Sequence, residues 1–315
     1  MKLSNDTIRS ITFGAVRIEE KADGLHFYKC TPKQIEAWSQ FNDTLGAWSA
    51  NSTGVRLDFH TDSPWMTFNA AKGNKFEVLI NDLAVARIEF DPLRQSGITP
   101  KIELGEGEKR VTLVFPSHQE GGVLTEVELA DGSTVTPHQH KEKILFIGDS
   151  ITQGWNSHFD SNSYAWRVTR HFDADSIIDG IGGAFYAAST FDRPDFEPNK
   201  VIIAYGTNDF GHFKTQEELR QQMGAYLDLI SAHYPKAKVY CIAPIFRFDL
   251  AKERKMGSWP ECRALIQQEI AKRGFQLIDG YDLVPHLDYF FADAVHPNDI
   301  GFAEYAKNLI KNLEK

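Results

Sequence analysis

The stretch "ILFIGDSITQGWNS", residues 144–157, decides how the chain is read. Ile144 to Ile147 run without polar interruption and stop on Gly148, Asp149 and Ser150. An unbroken apolar run of that kind fits a strand buried on both faces of a parallel sheet; a half-exposed strand would alternate. A hydroxyl just past such a strand sits where ligands collect in open α/β sheets, beyond the carboxyl edge. Serine is a poor nucleophile at neutral pH, so the question becomes whether the rest of the sequence supplies a base.

Working toward the C-terminus, the same kind of run recurs. "DSIIDG", "KVIIAYG", "AKVYCIAP" and "FQLIDG" are β-branched and do not alternate cleanly. Helical patterns lie between them. "TQEELRQQMGAYLDLISAHYP" opens with Thr215 and Glu218 at capping-box spacing and carries Leu219, Met223, Leu227 and Ile230 on one face. "SWPECRALIQQEIAKRG" repeats the device with Ser258 and Glu261 and stops at Gly274. The last helix carries Phe302, Tyr305, Ala306, Leu309, Ile310 and Leu313. Residues 139–315 are therefore expected to form a three-layer, doubly wound α/β domain around a parallel sheet.

Toward the N-terminus the pattern changes near residue 140. Short segments such as "GVRLDFHT", "KFEVLIND", "ARIEF" and "VLTEVELA" alternate, separated by breaks like "KGNK" and "ADGS". Phe76, Val78 and Ile80 share one face, as do Val123, Val127 and Leu129. Many short strands and almost no helix predict an all-β sandwich or jelly-roll over residues 1–138. "AWSQFNDTLGAW" reads either way.

The totals narrow the class. The chain has 315 residues, 42% hydrophobic and 24% charged, with a net charge of −9. No basic stripe appears, which argues against nucleic acid as a partner. No apolar run approaches the roughly 20 residues needed to span a bilayer, and the N-terminus lacks the apolar core of a signal peptide. Cys30, Cys241 and Cys262 are too few and scattered for a disulfide framework, so a cytoplasmic setting is expected. The sequons at Asn42 and Asn51 are then chance matches.

The strand ends gather the chemistry. They read "GDS", "DGIGG" and "YGTND", and "FADAVHP" precedes the last helix. A serine, exposed glycine backbone, an asparagine amide and an Asp-x-x-His pair make a complete set for acyl transfer. Each alone has a plainer reading: Ser150 as a helix cap, His296 and Asp293 as loop residues, Asp209 as a cap, Asp149 as a local backbone partner.

In that order the blocks resemble those of the SGNH, or GDSL-type, hydrolases, over roughly residues 143–312. The resemblance implies Ser150 as nucleophile, His296 as base and Asp293 as its orienting acid. It implies an oxyanion hole from the N–H groups of Ser150 and Gly180 and the Asn208 amide. Ile178 stands where the family usually has Asn, which leaves Gly182 as a rival donor. It implies no metal and no cofactor. The activity implied is a serine esterase releasing short acyl groups, acetyl foremost, from a carbohydrate or related alcohol, with a small molecule or oligosaccharide ester as substrate. A thioesterase, a lysophospholipase or a sugar O-acyltransferase would use the same residues. A sandwich ahead of such a domain is similar to bacterial carbohydrate acetyl-esterases; an inert glycan-binding protein is disfavoured by the complete residue set.

For substrate contacts, Trp155, Tyr164, Phe246, Phe248 and Trp259 are candidates for a sugar-stacking rim, and Arg247 and Arg254 for an anion reader. His138 and His140 in "TPHQHKEK" have no evident third ligand and are read as solvated linker.

Overall fold

The five apolar runs of the C-terminal half form one parallel sheet. The computed structural model describes residues 1–89, 97–98, 100–118, 121–249 and 254–315. Phe90 of "ARIEF" and residues 250–253, between the candidates Phe248 and Arg254, lie outside them. In chain order the parallel strands are Glu142–Gly148, Ala174–Gly180, Lys200–Ala204, Lys238–Ile242 and Gln276–Ile278. They are arranged second, first, third, fourth, fifth across the sheet.

Register does the positioning. Gly148 pairs with Gly180 on one side and Ala204 on the other, so three strands end level. Ser150, the turn after Gly180 and the loop to Asn208 therefore leave the sheet at one edge. The chain leaves the first strand for a neighbour on one side and returns on the other, which is the switch point where such sheets open a crevice.

Side chains alternate between two cores. Leu145 and Ile147 pack with helices Gln216–His233 and Trp259–Lys272; Ile144 and Phe146 pack with helices Tyr164–His171 and Asp299–Leu313. That is the three-layer arrangement. Both expected capping boxes form, Thr215 with Glu218 and Ser258 with Glu261, each satisfying orphan N–H groups at a helix start.

The N-terminal half holds two antiparallel sheets face to face. One runs Thr12–Phe13, Arg56–Thr61, Lys109–Val114, Lys75–Ile80, Leu83–Glu89, with Thr136–Pro137 also on Arg56–Thr61. The other runs Arg17–Lys21, Gly24–Tyr28, Val123–Leu129, Trp65–Lys72, Gly97–Ile98, with Ile102–Glu103 also on Trp65–Lys72. Leu57, Phe59, Val78 and Leu113 of the first meet Phe27, Phe68, Val127 and Leu129 of the second in one core. At about 1.5–3 kcal/mol for each large apolar side chain removed from water, this layer gives the half much of its stability.

The half is not all β. Residues 1–138 also contain helices Asn5–Ser10, Pro32–Ser39 and Asp43–Ser49, the last two covering most of the ambiguous segment. Their start signals are local: Thr31 and Gln34 form a capping box with Pro32 behind it, and the Asn42 side chain accepts from Leu45 N–H. Trp38 and Leu45 from this pair, with Cys30, join the core on one face of the parallel sheet. The three cysteines are buried and free. Among the described residues, no helix is long and apolar enough to cross a membrane.

Candidate active site

Past Gly148 the chain breaks into a single helical turn, Ser150–Gln153. The Asp149 carboxylate caps it, accepting from Ile151 N–H at 2.9 Å, which is the local backbone role expected of it. This turn lies against the end of the neighbouring strand. A Cβ on Gly180 would come within 2.3 Å of Gln153 N, so only glycine permits the approach. Ser150 is buried apart from 7% of its surface.

His296 reaches that serine from the loop before the last helix. Ser150 Oγ lies 2.8 Å from His296 Nε2, and His296 Nδ1 lies 2.8 Å from Asp293 Oδ2. With the carboxylate on Nδ1, the proton belongs on that nitrogen and the Nε2 lone pair faces the hydroxyl. The Asp-x-x-His spacing works because Asp293 Oδ1 accepts the N–H groups of Val295 and His296, each at 2.8 Å, folding the loop back. Partial burial pushes the Asp293 carboxyl up. Those two N–H donors and the imidazole outweigh it, leaving the group below the usual carboxylate range.

The oxyanion candidates come out differently from one another. Ile181 N–H donates to Gly148 O, so by the alternation of a parallel strand Gly180 turns its N–H away from the serine's strand. On that far side its carbonyl accepts Lys29 Nζ at 2.6 Å. The geometry thus speaks against Gly180 as a donor. Gly182 N–H is taken by Gln153 Oε1 at 2.7 Å. Gly183, at φ +80° in the turn closed by Ala184 N–H to Ile181 O, has an N–H without a partner among the described residues. Asn208 Nδ2 donates to the Ala184 carbonyl at 2.9 Å, tying its amide to the same turn and leaving one N–H over. Asp209 is no simple cap: fully buried, it accepts from Tyr186 and Gly206 N–H groups, each at 2.9 Å, and braces the loop.

Of the five aromatics expected to form a rim, Trp155 lies beside the relay. Trp155 has its ring 6.4 Å from that of His296. Tyr164 is instead core: it is fully buried, its hydroxyl 2.7 Å from Thr152 Oγ1 and its ring stacked 4.1 Å from Tyr305. Trp259 is 1% exposed and donates its indole N–H to Tyr281. Arg247 is committed to Asp249 and, at 2.9 Å, to the Thr207 carbonyl, so it shapes the Asn208 loop rather than reading an anion. Phe246 stacks 4.3 Å from His286, within an aromatic cluster containing Phe248 and Phe291. Phe248 remains exposed, its N–H bonded to Ala294 O beside Asp293.

The residues missed come mostly from the N-terminal half. Trp48 packs 5.3 Å from Trp155, and His118 stacks on Trp155 at 5.1 Å. Burial first, then the positive charges of Lys75 and Lys29, push the His118 imidazole down to about 4, so it is neutral here. Asn156, next to Trp155, bonds Asp293 Oδ2 at 2.8 Å. Only its place just after the nucleophile block marked it.

His138 and His140 are not solvated linker. His138 bridges His60 at 2.9 Å and Asp173 at 2.7 Å, and the His140 side chain is 5% exposed. Asp173 supplies the third ligand that spacing alone did not reveal: the three side chains offer atoms within 4.8 Å of one another. Yet Arg110 stands 3.3 Å from the same Asp173 oxygen and pairs with Asp58, while Arg56 faces His140 at 3.5 Å. Two guanidiniums already balance these carboxylates, and the cluster reads as a polar staple between the halves.

Two buried acids near the serine set a pH signature. Burial pushes Asp149 up to about 7, only partly offset by the Ile151 N–H bond; burial likewise pushes Asp209 to about 7. In the unfolded chain both ionise near 3.8. Between these values the folded form holds protons the unfolded form releases. Their contribution to stability is full below the lower value and is lost as pH rises through about 7. The stability advantage of the native protein over Asp149→Asn, read from urea midpoints, is therefore expected to shrink from pH 5 to pH 8. An unchanged difference would show that Asp149 is ionised throughout.

Comparison with known proteins bears on this arrangement. Residues 146–303 match the model of the GDSL-like lipase/acylhydrolase family. No curated protein matches the sequence. Among solved structures, the chain is similar to the salicylyl-acyltransferase SsfX3 from a tetracycline biosynthetic pathway, at TM-score 0.81 and 17% identity, covering 96% of this chain and 93% of that one. It is also similar to a putative GDSL-like lipase from Bacteroides ovatus, at TM-score 0.72 and 16% identity over 98% and 97% of the two chains. A family two carbohydrate esterase from Clostridium thermocellum, solved with cellohexaose, gives 0.68 and 14% over 83% and 92%. At such identities these likenesses establish the shared fold, sandwich included.

Proposed function

Because the chain belongs to the GDSL-like lipase/acylhydrolase family, an ester-cleaving enzyme family, we propose that it is a serine esterase removing short acyl groups, acetyl foremost, from carbohydrate alcohols. The observation that carries the reaction class is the relay Ser150 Oγ–His296–Asp293, with 2.8 Å at both hydrogen bonds. Ser150 attacks the ester carbonyl as His296 Nε2 takes its proton, and the alcohol leaves with that proton. Water then repeats the sequence on the acyl-enzyme. Asp293 holds the imidazole and stabilises the imidazolium. The developing oxyanion is met by the first-turn N–H of Ser150, the spare Asn208 amide N–H and, in place of Gly180, the N–H of Gly183.

Support for a sugar alcohol is the aromatic wall of Trp48, Trp155 and His118 beside the nucleophile. A ring face there accepts the C–H face of a sugar, and the neutral imidazole accepts or donates one hydroxyl hydrogen bond. The carbohydrate esterase named above was solved with cellohexaose, and its likeness covers 83% of this chain. The test is acetate release from a panel of acetylated sugars and oligosaccharides, alongside p-nitrophenyl esters from acetyl to decanoyl. We expect acetyl to lead the chain-length series and acetylated sugars to be turned over. A preference for long acyl chains would point to a lysophospholipase instead. Acyl transfer to an added sugar in preference to water would point to a transferase.

A further inference from the structure

Resting on the proposed Ser150–His296–Asp293 relay, we infer that Asn156 is a positioning residue that fixes the Asp293 carboxylate, and that the N-terminal sandwich sets the loop presenting it. The carboxylate is open to water, with 44% of its side chain exposed, so burial alone does not hold it. Its two oxygens are instead divided. Oδ1 takes the Val295 and His296 N–H groups and lies 3.1 Å from His296 Nδ1, while Oδ2 takes the closer approach of His296 Nδ1 and the Asn156 amide, both at 2.8 Å. Without the amide, the oxygen that faces the imidazole keeps one protein donor and is free to turn toward solvent. The hydrogen bond to Asn156 also favours the charged carboxylate, the form needed beside an imidazolium.

The backbone at Asn156 is built for this task. Its φ is +69°, in the left-handed region that Asn tolerates far better than most side chains. The flanking loop is held on several sides. His158 N–H bonds Asp299 Oδ1 at the start of the last helix. From the sandwich, the buried Glu77 carboxylate accepts the N–H groups of Asp160 and Ser161, and Arg87 lies 2.7 Å from His158 Nε2. Lys75 sits 3.4 Å from the Asp160 carboxylate. Strand Lys75–Ile80 thus grips the loop four and five residues from Asn156, and its hairpin partner Leu83–Glu89 reaches it two residues away.

The test uses two substitutions in the full chain, with Ser150→Ala as a parallel control and p-nitrophenyl acetate as substrate. Asn156→Gly keeps the backbone conformation and removes only the amide; kcat is expected to fall about tenfold with KM within about twofold and the melting temperature little changed. Asn156→Asp places a second carboxylate against Asp293; kcat at pH 8 is expected to fall about 30-fold. The ratio of its rate to the native rate should then recover as pH falls toward 5, where a protonated carboxyl donates again. A loss that only shaped the loop would not recover with acid. Full activity in Asn156→Gly, or a pH-independent ratio for Asn156→Asp, overturns the inference. Undiminished activity in Ser150→Ala would overturn the relay itself, a separate result.

Discussion

Ser150→Ala is expected to abolish turnover, with a loss in kcat of about 10⁶-fold, and to abolish covalent labelling by a fluorophosphonate. In the proposed mechanism the Ser150 oxygen is the atom that bonds to carbon, and His296 Nε2 lies 2.8 Å from it, placed to take its proton. Removing the imidazole with His296→Ala should cost nearly as much, and the double substitution little more, since the groups act as one unit. The alanine variant should fold: Ser150 lies in the first turn of a helix whose cap is Asp149. Labelling that persists in Ser150→Ala would place the nucleophile elsewhere.

Asn208→Ala is expected to lower kcat by about 10²–10³ while leaving KM for a small ester nearly unchanged. The reason is differential binding: an amide N–H aimed at a developing negative oxygen contributes in the transition state and little before it. The same side chain bonds the Ala184 carbonyl, so the urea midpoint is a necessary companion measurement. A kcat near the native value in a folded variant would remove Asn208 from the oxyanion site.

What the sequence disclosed and what it hid divide along physical lines. Strands buried on both faces and helices with capping boxes carry their signals within a few residues, so the parallel sheet and helices such as Gln216–His233 were legible. The four blocks were legible because each sits at a strand end or loop with a fixed local shape. Tyr164 and Trp259 were misjudged because an aromatic ring in a segment near the nucleophile looks the same facing inward or outward; their hydroxyl and indole partners, Thr152 and Tyr281, could not be foreseen. Arg247 was misjudged because its acid, Asp249, lies two residues away and reads as solvated. Trp48 and His118 were hidden because their neighbours at the site lie in the other half of the chain. Gly180 illustrates a finer limit: this glycine is needed for the space it leaves, and spacing alone does not distinguish that from a need for its N–H.

Trp38 and Leu45 spend their side chains on the parallel sheet although they precede it by a hundred residues, and Lys29 closes the sheet's free edge at Gly180. The sandwich keeps a core of its own, drawn from residues 8–129, but the change of pattern near residue 140 does not confine every side chain before it to that core. Severing the chain there would strip Trp38, Leu45 and Lys29 from the parallel sheet, so the C-terminal half expressed alone is expected to be less stable than it is within the full chain.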